Sequence, residues 1–341
     1  MINFHKNVFE YNTKLSDVLK KINYLKHKII LITQKNKFFG VLTDGDIRRF
    51  FMKNISKDIL IGEIANKNPI KLGNSYNKKD LNKSLSSQIR YIPVISKDKK
   101  ISKLIDAHLL KKEKYKNHVF IIAGGLGSRL YPITKKIPKP MLMIKKKPHL
   151  ESVVDKLIEE GFQNITLCLN YKYENIISYF KKRKKKADIS YSIEKKRLGT
   201  AGPIRFGVNE KTVFPMIVIN ADLITDLKFS NLLNFQNNNK NALTVGVKRE
   251  KYKLPFATVD YKKEKILSIT EKPEKFYYFN TGIYMMNRDI VNLIPKNKKF
   301  DMPDLISKTL SKKKIVTAFY IYENWYDFGT RENYKKLKND K

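Results

Sequence analysis

A buried strand that runs straight into a glycine-rich turn constrains the fold of this chain more than any other feature. The apolar run 119–122 predicts the strand, and three glycines lie within four positions of the segment 123–129 that follows. Glycines let the backbone approach a ligand and turn its N–H groups inward, which suits a polyphosphate. Arg129 and Lys139, the latter flanked by two prolines, add fixed positive charge. The segment therefore predicts a phosphate-binding loop rather than a mobile turn.

Strand-like and helix-like runs alternate from residue 117 onward. After a helical run at 152–160, further strands are predicted at residues 165–170, 189–193, 216–219 and 243–247. This alternation predicts an α/β domain with a Rossmann-like, mostly parallel sheet. Ligands bind beyond the carboxyl ends of the strands in such a sheet, which is where the glycine turn, Asn170 and Asp222 fall.

Six motifs, in this order, resemble the sugar-1-phosphate nucleotidyltransferases, also called nucleotide-sugar pyrophosphorylases. They are GGxGxRLxPxT with PKPM at 124–141, LGTAG at 198–202, NAD at 220–222, EKP at 271–273, NTGIY at 280–284 and WxDxGT at 325–330. The resemblance implies a nucleotidyltransferase domain at 117–336 with a glycosyltransferase-A-like fold. It also implies a reaction, in which a sugar 1-phosphate attacks the α-phosphorus of a nucleoside triphosphate and pyrophosphate leaves.

The resemblance gives each motif a role. Catalysis is assigned to Arg129, Lys139 and Asp222. Binding of the nucleoside triphosphate is assigned to Ala123, Gly124, Gly125, Gly127, Ser128, Arg129, Gly199 and Thr200. Binding of the sugar phosphate is assigned to Ala257, Glu271, Lys272 and Asn280. Asp222 and Asp327 supply a pair of carboxylates for Mg²⁺ (or Mn²⁺), a hard cation that prefers oxygen ligands.

Two details bear on the substrates. The LGTAG loop resembles that of mannose-1-phosphate guanylyltransferase-like enzymes and favours GTP, while Ala257 replaces a glycine common in the family and indicates a different sugar position or substituent. The domain order resembles guanylyltransferases that activate glucosamine 1-phosphate for legionaminic-acid-type sugars, which serve cell-surface glycan or nonulosonic acid synthesis. A hexosamine-1-phosphate guanylyltransferase is therefore predicted. Uridylyl or thymidylyl transfer to another hexose 1-phosphate, and a non-catalytic nucleotide sensor, are the alternatives.

Residues 1–113 contain a degenerate sequence repeat that resembles a tandem pair of cystathionine-β-synthase-type (CBS) domains, with copies at about 7–57 and 62–113. GVLTDGDIRR at 40–49 is the specific part of this resemblance. It implies a smaller α/β module through which the chain forms a homodimer.

Nucleotide binding is expected in one copy only. The family's ribose and phosphate contacts fall on Thr43 and Asp46 in the first copy but on Ile105 and His108 in the second. We therefore expect an adenine or guanine nucleotide in the first cleft and none in the second. Arg48 and Arg49 either add charge for its phosphate or lie on the surface.

The net charge of +38 raises the question of nucleic-acid binding. Lysine is spread over the whole chain and rises together with the other residues of A/T-rich codons, so no nucleic-acid partner is predicted. The densest basic run, 181–186, is interpreted as the solvated end of a helix, with attraction to anions as the alternative. A single cysteine and the lack of a signal peptide or membrane-length apolar run predict a cytoplasmic enzyme.

Overall fold

The computed structural model describes residues 3–22, 25, 28–52, 58–77, 80–81, 84, 89–107, 114–144, 146–183, 187–239 and 241–339. The strands are β1 (Val8–Glu10), β2 (Ile29–Gln34), β3 (Lys37–Thr43), β4 (Leu72–Gly73), β5 (Tyr91–Ile95), β6 (Ile101–Asp106), β7 (Tyr115–Ile122), β8 (Met143–Ile144), β9 (Lys147–Pro148), β10 (Phe162–Leu169), β11 (Asp188–Ile193), β12 (Met216–Asn220), β13 (Leu223–Thr225), β14 (Leu243–Lys253), β15 (Thr258–Lys262), β16 (Lys265–Thr270), β17 (Glu274–Met286), β18 (Val316–Tyr320) and β19 (Trp325–Asp327). The α-helices are α1 (Leu15–Ile22), α2 (Asp44–Met52), α3 (Ile133–Lys136), α4 (His149–Glu159), α5 (Tyr173–Lys182), α6 (Gly202–Gly207), α7 (Phe229–Asn239), α8 (Arg288–Val291), α9 (Met302–Ser311) and α10 (Arg331–Asn339). The predictions for His108 and for the end of the basic run at 184–186 lie outside the described residues.

A seven-stranded sheet in the order β11-β10-β7-β12-β17-β14-β18 forms the centre of the larger part of the chain. Only β17 runs antiparallel to its neighbours, β12 and β14; the remaining neighbours pair in parallel. The prediction of an α/β fold with a mostly parallel sheet is confirmed.

Side chains of β7 alternate between two cores, because successive residues of a strand point to opposite faces of a sheet. Val119 and Ile121 enter a core made with α4, α5 and α7, whereas Phe120 enters a second core made with α6, α8 and α9. Complete burial of one such side chain stabilises the fold by about 1.5–3 kcal/mol. Helices on both faces therefore hold the sheet in place.

The carboxyl ends of β7, β10, β11 and β12 meet along one edge of the sheet because these strands are parallel. Strand β12 pairs with β7, although β10 and β11 lie between them in the sequence. The crossover direction reverses at this point, which leaves a crevice beyond the strand ends.

The first part of the chain forms two small sheets, β1-β2-β3 and β4-β5-β6. In each, a parallel pair is followed by an antiparallel pair. Leu104 of the second sheet packs with Ile29, Leu31 and Val41 of the first, so the two sheets share a core. Among the described residues, no helix is both long and apolar enough to cross a membrane.

Candidate active site

Pairing of β13 with β19 brings Asp222 and Asp327 together from distant parts of the sequence. Leu223 lies opposite Asp327 in this antiparallel pair, so Asp222, which directly precedes Leu223, also lies next to Asp327. Trp325 Nε1 donates to the Thr281 carbonyl oxygen (3.0 Å) and so fixes β19 to the central strand β17. In the WxDxGT motif, the tryptophan therefore positions the strand that carries the aspartate.

Lys139 lies between the two aspartates. Its ammonium donates to the Asp222 carboxylate and lies 3.8 Å from Asp327 Oδ1. Burial and the charge of Asp222 raise the pKa of Asp327 above its usual value. Two carboxylates that repel each other in this way attract a cation.

The donor set fits a hard divalent metal ion. Asp222 and Asp327 supply carboxylate oxygens, and Mg²⁺ is commonly held by one or two carboxylates together with substrate phosphates. No group of three or more His, Cys, Asp or Glu side chains suited to a metal exists among the described residues. Phosphate oxygens would therefore have to complete the coordination.

The glycine turn forms one wall of a cleft of about 570 Å³. The cleft is lined by residues 122–129, Lys139, Pro140, Glu194, Arg197, Leu198, Gly199, Thr200, Asn220, Ala221, Asp222, Lys299 and Gly329. Gly127 has φ +66°, and a Cβ there would come within 3.0 Å of both Lys139 Cβ and Thr134 Cγ2. A Cβ on Gly125 would meet nothing within 4 Å, so this part of the turn faces open space. The exposed Arg129 lies on the same rim, its guanidinium close to Gly329.

Glu194 is a cleft residue that the sequence reasoning missed. It follows β11, is buried, and accepts a hydrogen bond from the Leu198 N–H at Oε2 (2.7 Å). Its Oε1 faces Gly124, where a Cβ would lie 3.1 Å away. Burial raises the pKa of Glu194 to about 7. The rule that pointed to Asn170 and Asp222, a polar residue near the carboxyl end of a parallel strand, would have found Glu194.

The LGTAG loop is held by Asp301. Gly199 has φ +84°, and a Cβ there would meet Asp301 Oδ1 at 2.5 Å. The Thr200 N–H donates to the same oxygen (2.8 Å), while the Thr200 hydroxyl accepts from the Met302 N–H (2.8 Å) at the start of α9. Gly199 and Thr200 line the cleft, but the threonine hydroxyl is engaged in capping a helix.

The residues assigned to the sugar phosphate are not brought together with the cleft. Asn280 lies on β17, where its Oδ1 accepts from the Gly282 N–H (3.0 Å). Ala257 precedes β15, and Glu271 and Lys272 follow β16, where their exposed side chains pair with each other at 3.8 Å. None of the four lines the cleft with the glycine turn.

A second cavity of about 940 Å³ lies beside the aspartates and includes His149 and Asn220. His149 Nε2 donates to the Leu223 carbonyl oxygen (3.0 Å). The imidazole ring packs edge-on against the Phe328 ring, with 4.8 Å between the ring centroids. Burial lowers the pKa of His149 to about 4. Asn220 lines both cavities, and its buried Oδ1 has no hydrogen-bond partner among the described residues. Neither residue was assigned a role from the sequence.

Thr43 and Asp46 contact each other at the start of α2. The Thr43 N–H and hydroxyl both donate to Asp46 Oδ2, at 2.9 and 2.6 Å, and the exposed Arg49 donates to Asp46 Oδ1. The structure does not place Arg48 on the surface, and its guanidinium is engaged by two carboxylates. It is buried and donates to Asp44 and, at 2.7 Å, to Glu323 next to β18, because its helix packs against the large sheet.

The nucleotidyl transferase family model matches residues 118–341. A D-glycero-alpha-D-manno-heptose 1-phosphate guanylyltransferase of Campylobacter jejuni is 34% identical over 221 residues, which are 63% of this chain and 95% of that protein. A mannose-1-phosphate guanyltransferase of Yarrowia lipolytica is 30% identical over 226 residues, and this chain spans 61% of that relative's length.

Among solved structures, the chain is similar to HddC from Yersinia pseudotuberculosis complexed with GMP-PN. The TM-score is 0.52 and the sequence identity 26%, over 65% of this chain and 98% of that chain. The family model matches the part of the chain that carries the cleft, since the match begins at residue 118.

Proposed function

Because this chain belongs to the nucleotidyl transferase family, we propose that it transfers a guanylyl group from GTP to a sugar 1-phosphate. A phosphate oxygen of the sugar 1-phosphate forms a bond to the α-phosphorus, the bond from that phosphorus to the bridging oxygen breaks, and pyrophosphate leaves with the electron pair. The observation that carries the proposal is the position of Lys139 between Asp222 and Asp327, beside the glycine turn.

Neutralisation of charge and alignment are the main tasks of the protein, since both substrates are polyanions. Arg129 and the glycine turn hold the β- and γ-phosphates, and Lys139 meets the α-phosphate, where charge shifts during transfer. Asp222 and Asp327 would hold Mg²⁺ or Mn²⁺, which supplies neutralisation of phosphate oxygens when bound.

Glu194 supports guanine as the base. The edge of guanine presents two donors side by side, N1–H and the exocyclic amine, and an ionised carboxylate accepts both. Uracil and thymine present one N–H between two carbonyl oxygens, which a carboxylate repels. Glu194 is the buried carboxyl group at the Gly124 side of the cleft, and the relatives named above are guanylyltransferases.

For the sugar we propose a hexosamine 1-phosphate, with the product used for cell-surface glycan or nonulosonic acid synthesis. Ala257 in place of the family's glycine supports a sugar that differs from the usual hexoses. The relatives named for heptose and mannose 1-phosphates favour a manno-configured sugar as the second candidate. In either case Glu271, Lys272 and Asn280 would bind the sugar phosphate, which requires the tip of their ribbon to approach the cleft.

We also propose that residues 1–113 form a CBS pair that binds one adenine or guanine nucleotide at Thr43 and Asp46. Its support is the shared order and direction of the strands in the two small sheets. Thr43 ends β3 and Asp46 lies in the first turn of α2, so both stand at a helix N-terminus, which favours a phosphate.

A screen of pyrophosphate release tests the proposed reaction. GTP, UTP, dTTP and ATP are each paired with glucosamine, mannose and manno-heptose 1-phosphates, with Asp222→Asn as the inactive control. We expect GTP to give at least about tenfold higher kcat/KM than the other triphosphates, as a difference of about 1.4 kcal/mol in transition-state binding requires. A preference for UTP or dTTP would overturn the choice of base, and no release with any pair would favour the non-catalytic sensor.

A further inference from the structure

Asp44 is the first residue of α2, and its carboxylate joins the N-terminal part of the chain to the larger part. Asp44 Oδ2 accepts from Asn231 Nδ2 (3.1 Å), and Asp44 Oδ1 accepts from the Tyr322 hydroxyl. The two oxygens also accept from the Arg48 guanidinium, at 2.7 and 2.9 Å. The Asp44 side chain is only 14% exposed, so these bonds are largely shielded from water. Asp44 thus connects two segments that are far from it in the sequence.

The two segments that Asp44 connects also carry the candidate metal ligands. Asn231 lies in the first turn of α7, the next helix after β13, and Asp222 directly precedes β13. Tyr322 lies between β18 and β19, and β19 ends with Asp327. Asp44 therefore ties the chain that follows one aspartate to the chain that precedes the other.

The pairing of β13 with β19 is too short to fix the two aspartates by itself. Each strand has three residues, and a two-stranded pair without support is marginally stable in water. Beside the pair, the Asn324 carbonyl oxygen accepts from Thr225 Oγ1 (2.8 Å) and from the Asp226 N–H (3.1 Å). Asp44 adds a further link between the same two segments, and this link comes from the N-terminal part of the chain.

A role within α2 alone does not account for these contacts. A carboxylate in the first turn stabilises a helix, and Asp44 also pairs with Arg48 one turn later in the same helix. Neither effect requires a partner from α7 or from the segment before β19. Burial and the charge of Asp44 raise the pKa of Tyr322 well above its usual value, so its hydroxyl stays protonated and donates to Asp44.

We propose that Asp44 is a positioning residue for Asp222 and Asp327, and that it thereby sets how tightly the site holds a divalent cation. The inference rests on the proposed function, in which these two aspartates hold Mg²⁺ or Mn²⁺. Loss of a group that orients metal ligands typically changes metal affinity or activity by about 10–100-fold, and a shift of about 1 Å at a reacting centre can cost about 10²-fold in rate. Asp44 acts through two segments rather than on a ligand directly, so the effect belongs at the lower end of this range.

Removal of both links, with α2 left docked, tests the proposal. Tyr322→Phe combined with Asn231→Ala removes the two donors from the larger part of the chain and leaves the pair of Asp44 with Arg48 in place. Binding of Mn²⁺ with a non-hydrolysable GTP analogue present, measured by electron paramagnetic resonance, should weaken roughly tenfold. In steady-state assays the half-saturating concentration of Mg²⁺ should rise and kcat should fall by a similar factor, while the KM for the sugar 1-phosphate stays unchanged. Tyr322→Phe alone should give a smaller loss in the same direction.

A matched control removes the same kinds of group away from the aspartates. In the control double variant, Tyr179→Phe removes a hydroxyl that donates to Glu151 Oε2 (2.6 Å), and Asn239→Ala removes an amide of α7 that donates to the Phe235 carbonyl oxygen (2.7 Å). This control should keep the wild-type affinity for Mn²⁺ and the wild-type kcat.

The stability of the variants separates positioning from a purely structural role. A structural role would lower the melting temperature of the Tyr322→Phe, Asn231→Ala variant and leave its affinity for Mn²⁺ equal to that of the control. That result, or an unchanged kcat, would overturn the proposal. Asp222→Asn is the reference for the metal assignment. If it weakens Mn²⁺ binding and the double variant does not, only the role of Asp44 fails. If Asp222→Asn binds Mn²⁺ as the wild type does, the metal assignment in the proposed function fails as well.

Discussion

At the residue scale, the candidate active site is built around two carboxylates and one ammonium group. The ammonium of Lys139 balances the charges of Asp222 and Asp327, and Lys139 and Asp222 line the cleft beside the glycine turn. If the aspartates hold the divalent cation, each is needed for transfer and neither is needed for folding, because both lie at the rim of the hydrophobic cores.

Removal of either carboxylate charge is expected to abolish most of the activity. Asp222→Asn and Asp327→Asn should each lower kcat by roughly 10²-fold or more, since they weaken the charge stabilisation of the transition state. Steady-state pyrophosphate release at saturating Mg²⁺ measures this. Asp226→Asn, on an exposed neighbouring carboxylate that accepts from Asn324 Nδ2, should retain full turnover. Turnover within about tenfold of wild type for both active-site variants would rule out the metal assignment.

Glu194 predicts a dependence of GTP binding on pH. Burial raises its pKa to about 7, so the carboxyl is protonated below this pH and becomes a full acceptor for guanine above it. The KM for GTP should therefore fall as the pH rises from about 6 to about 8. Glu194→Gln should raise that KM about tenfold at the upper end, because a hydrogen bond to a charged group is lost.

The glutamine variant also serves as the control for the ionisation of GTP itself. That ionisation is common to both proteins, so the difference between their pH profiles isolates Glu194. The KM for the sugar 1-phosphate should stay the same in the variant. Parallel profiles for the two proteins would show that Glu194 does not meet the base.

At the scale of elements, α2 is fixed to the large sheet by a buried ion pair. Arg48 is 2% exposed and contacts Asp44 of its own helix, Glu323 next to β18 and the Tyr320 carbonyl oxygen. Burial by itself would raise the pKa of Glu323, but the charges of Arg48 and Lys28 hold it below its usual value. The rings of Phe51 and Tyr320 stack beside this pair at 4.7 Å.

Loss of one partner of this pair should destabilise the whole chain. Arg48→Met leaves Glu323 buried without its main counter-charge, so we expect a loss of about 3–5 kcal/mol in the free energy of unfolding. The double variant Arg48→Met with Glu323→Leu should recover part of this loss. Urea denaturation measures both values. The neighbouring Arg49→Met, on an exposed ion pair, should change stability by less than about 1 kcal/mol; an equal effect of the two single variants would contradict a buried pair.

At the scale of the whole molecule, the N-terminal sheets pack against the nucleotidyltransferase domain. A ligand bound to the N-terminal sheets would therefore lie close to that domain. Tyr320, from the large sheet, packs into the core of the first small sheet. Thr43 directly precedes α2, the helix that carries both Asp46 and Arg48. A nucleotide bound at Thr43 and Asp46 would therefore lie about one helical turn from the contact that Arg48 makes with the large sheet.

Calorimetry on the full chain tests that site. In an Arg129→Ala background, which weakens binding at the cleft, AMP or ADP should bind once per chain, and Asp46→Ala should weaken this binding at least about tenfold. If AMP, ADP, ATP and GDP all give no heat of binding, residues 1–113 do not bind a nucleotide and the proposed site is wrong. Two nucleotides per chain would show that the second copy binds as well, contrary to the expectation from Ile105.

The sequence by itself determined the α/β class, the order of the family motifs and the position of the glycine turn. These depend on local properties: the periodicity of apolar residues, and the need for glycine where φ is positive, as at Gly127. It also identified Lys139, Asp222 and Asp327, which the structure places in contact.

Only the tertiary structure decided which distant segments meet. Pairing of β13 with β19 puts the two aspartates side by side, packing of β11 places Glu194 near Gly124, and docking of α2 buries Arg48 instead of offering it to a phosphate. The separation of Glu271 and Lys272 from the cleft is likewise a result of the pairing of β14 with β17. Contacts of this kind depend on the register and packing of elements far apart in the chain, and local side-chain patterns do not encode them.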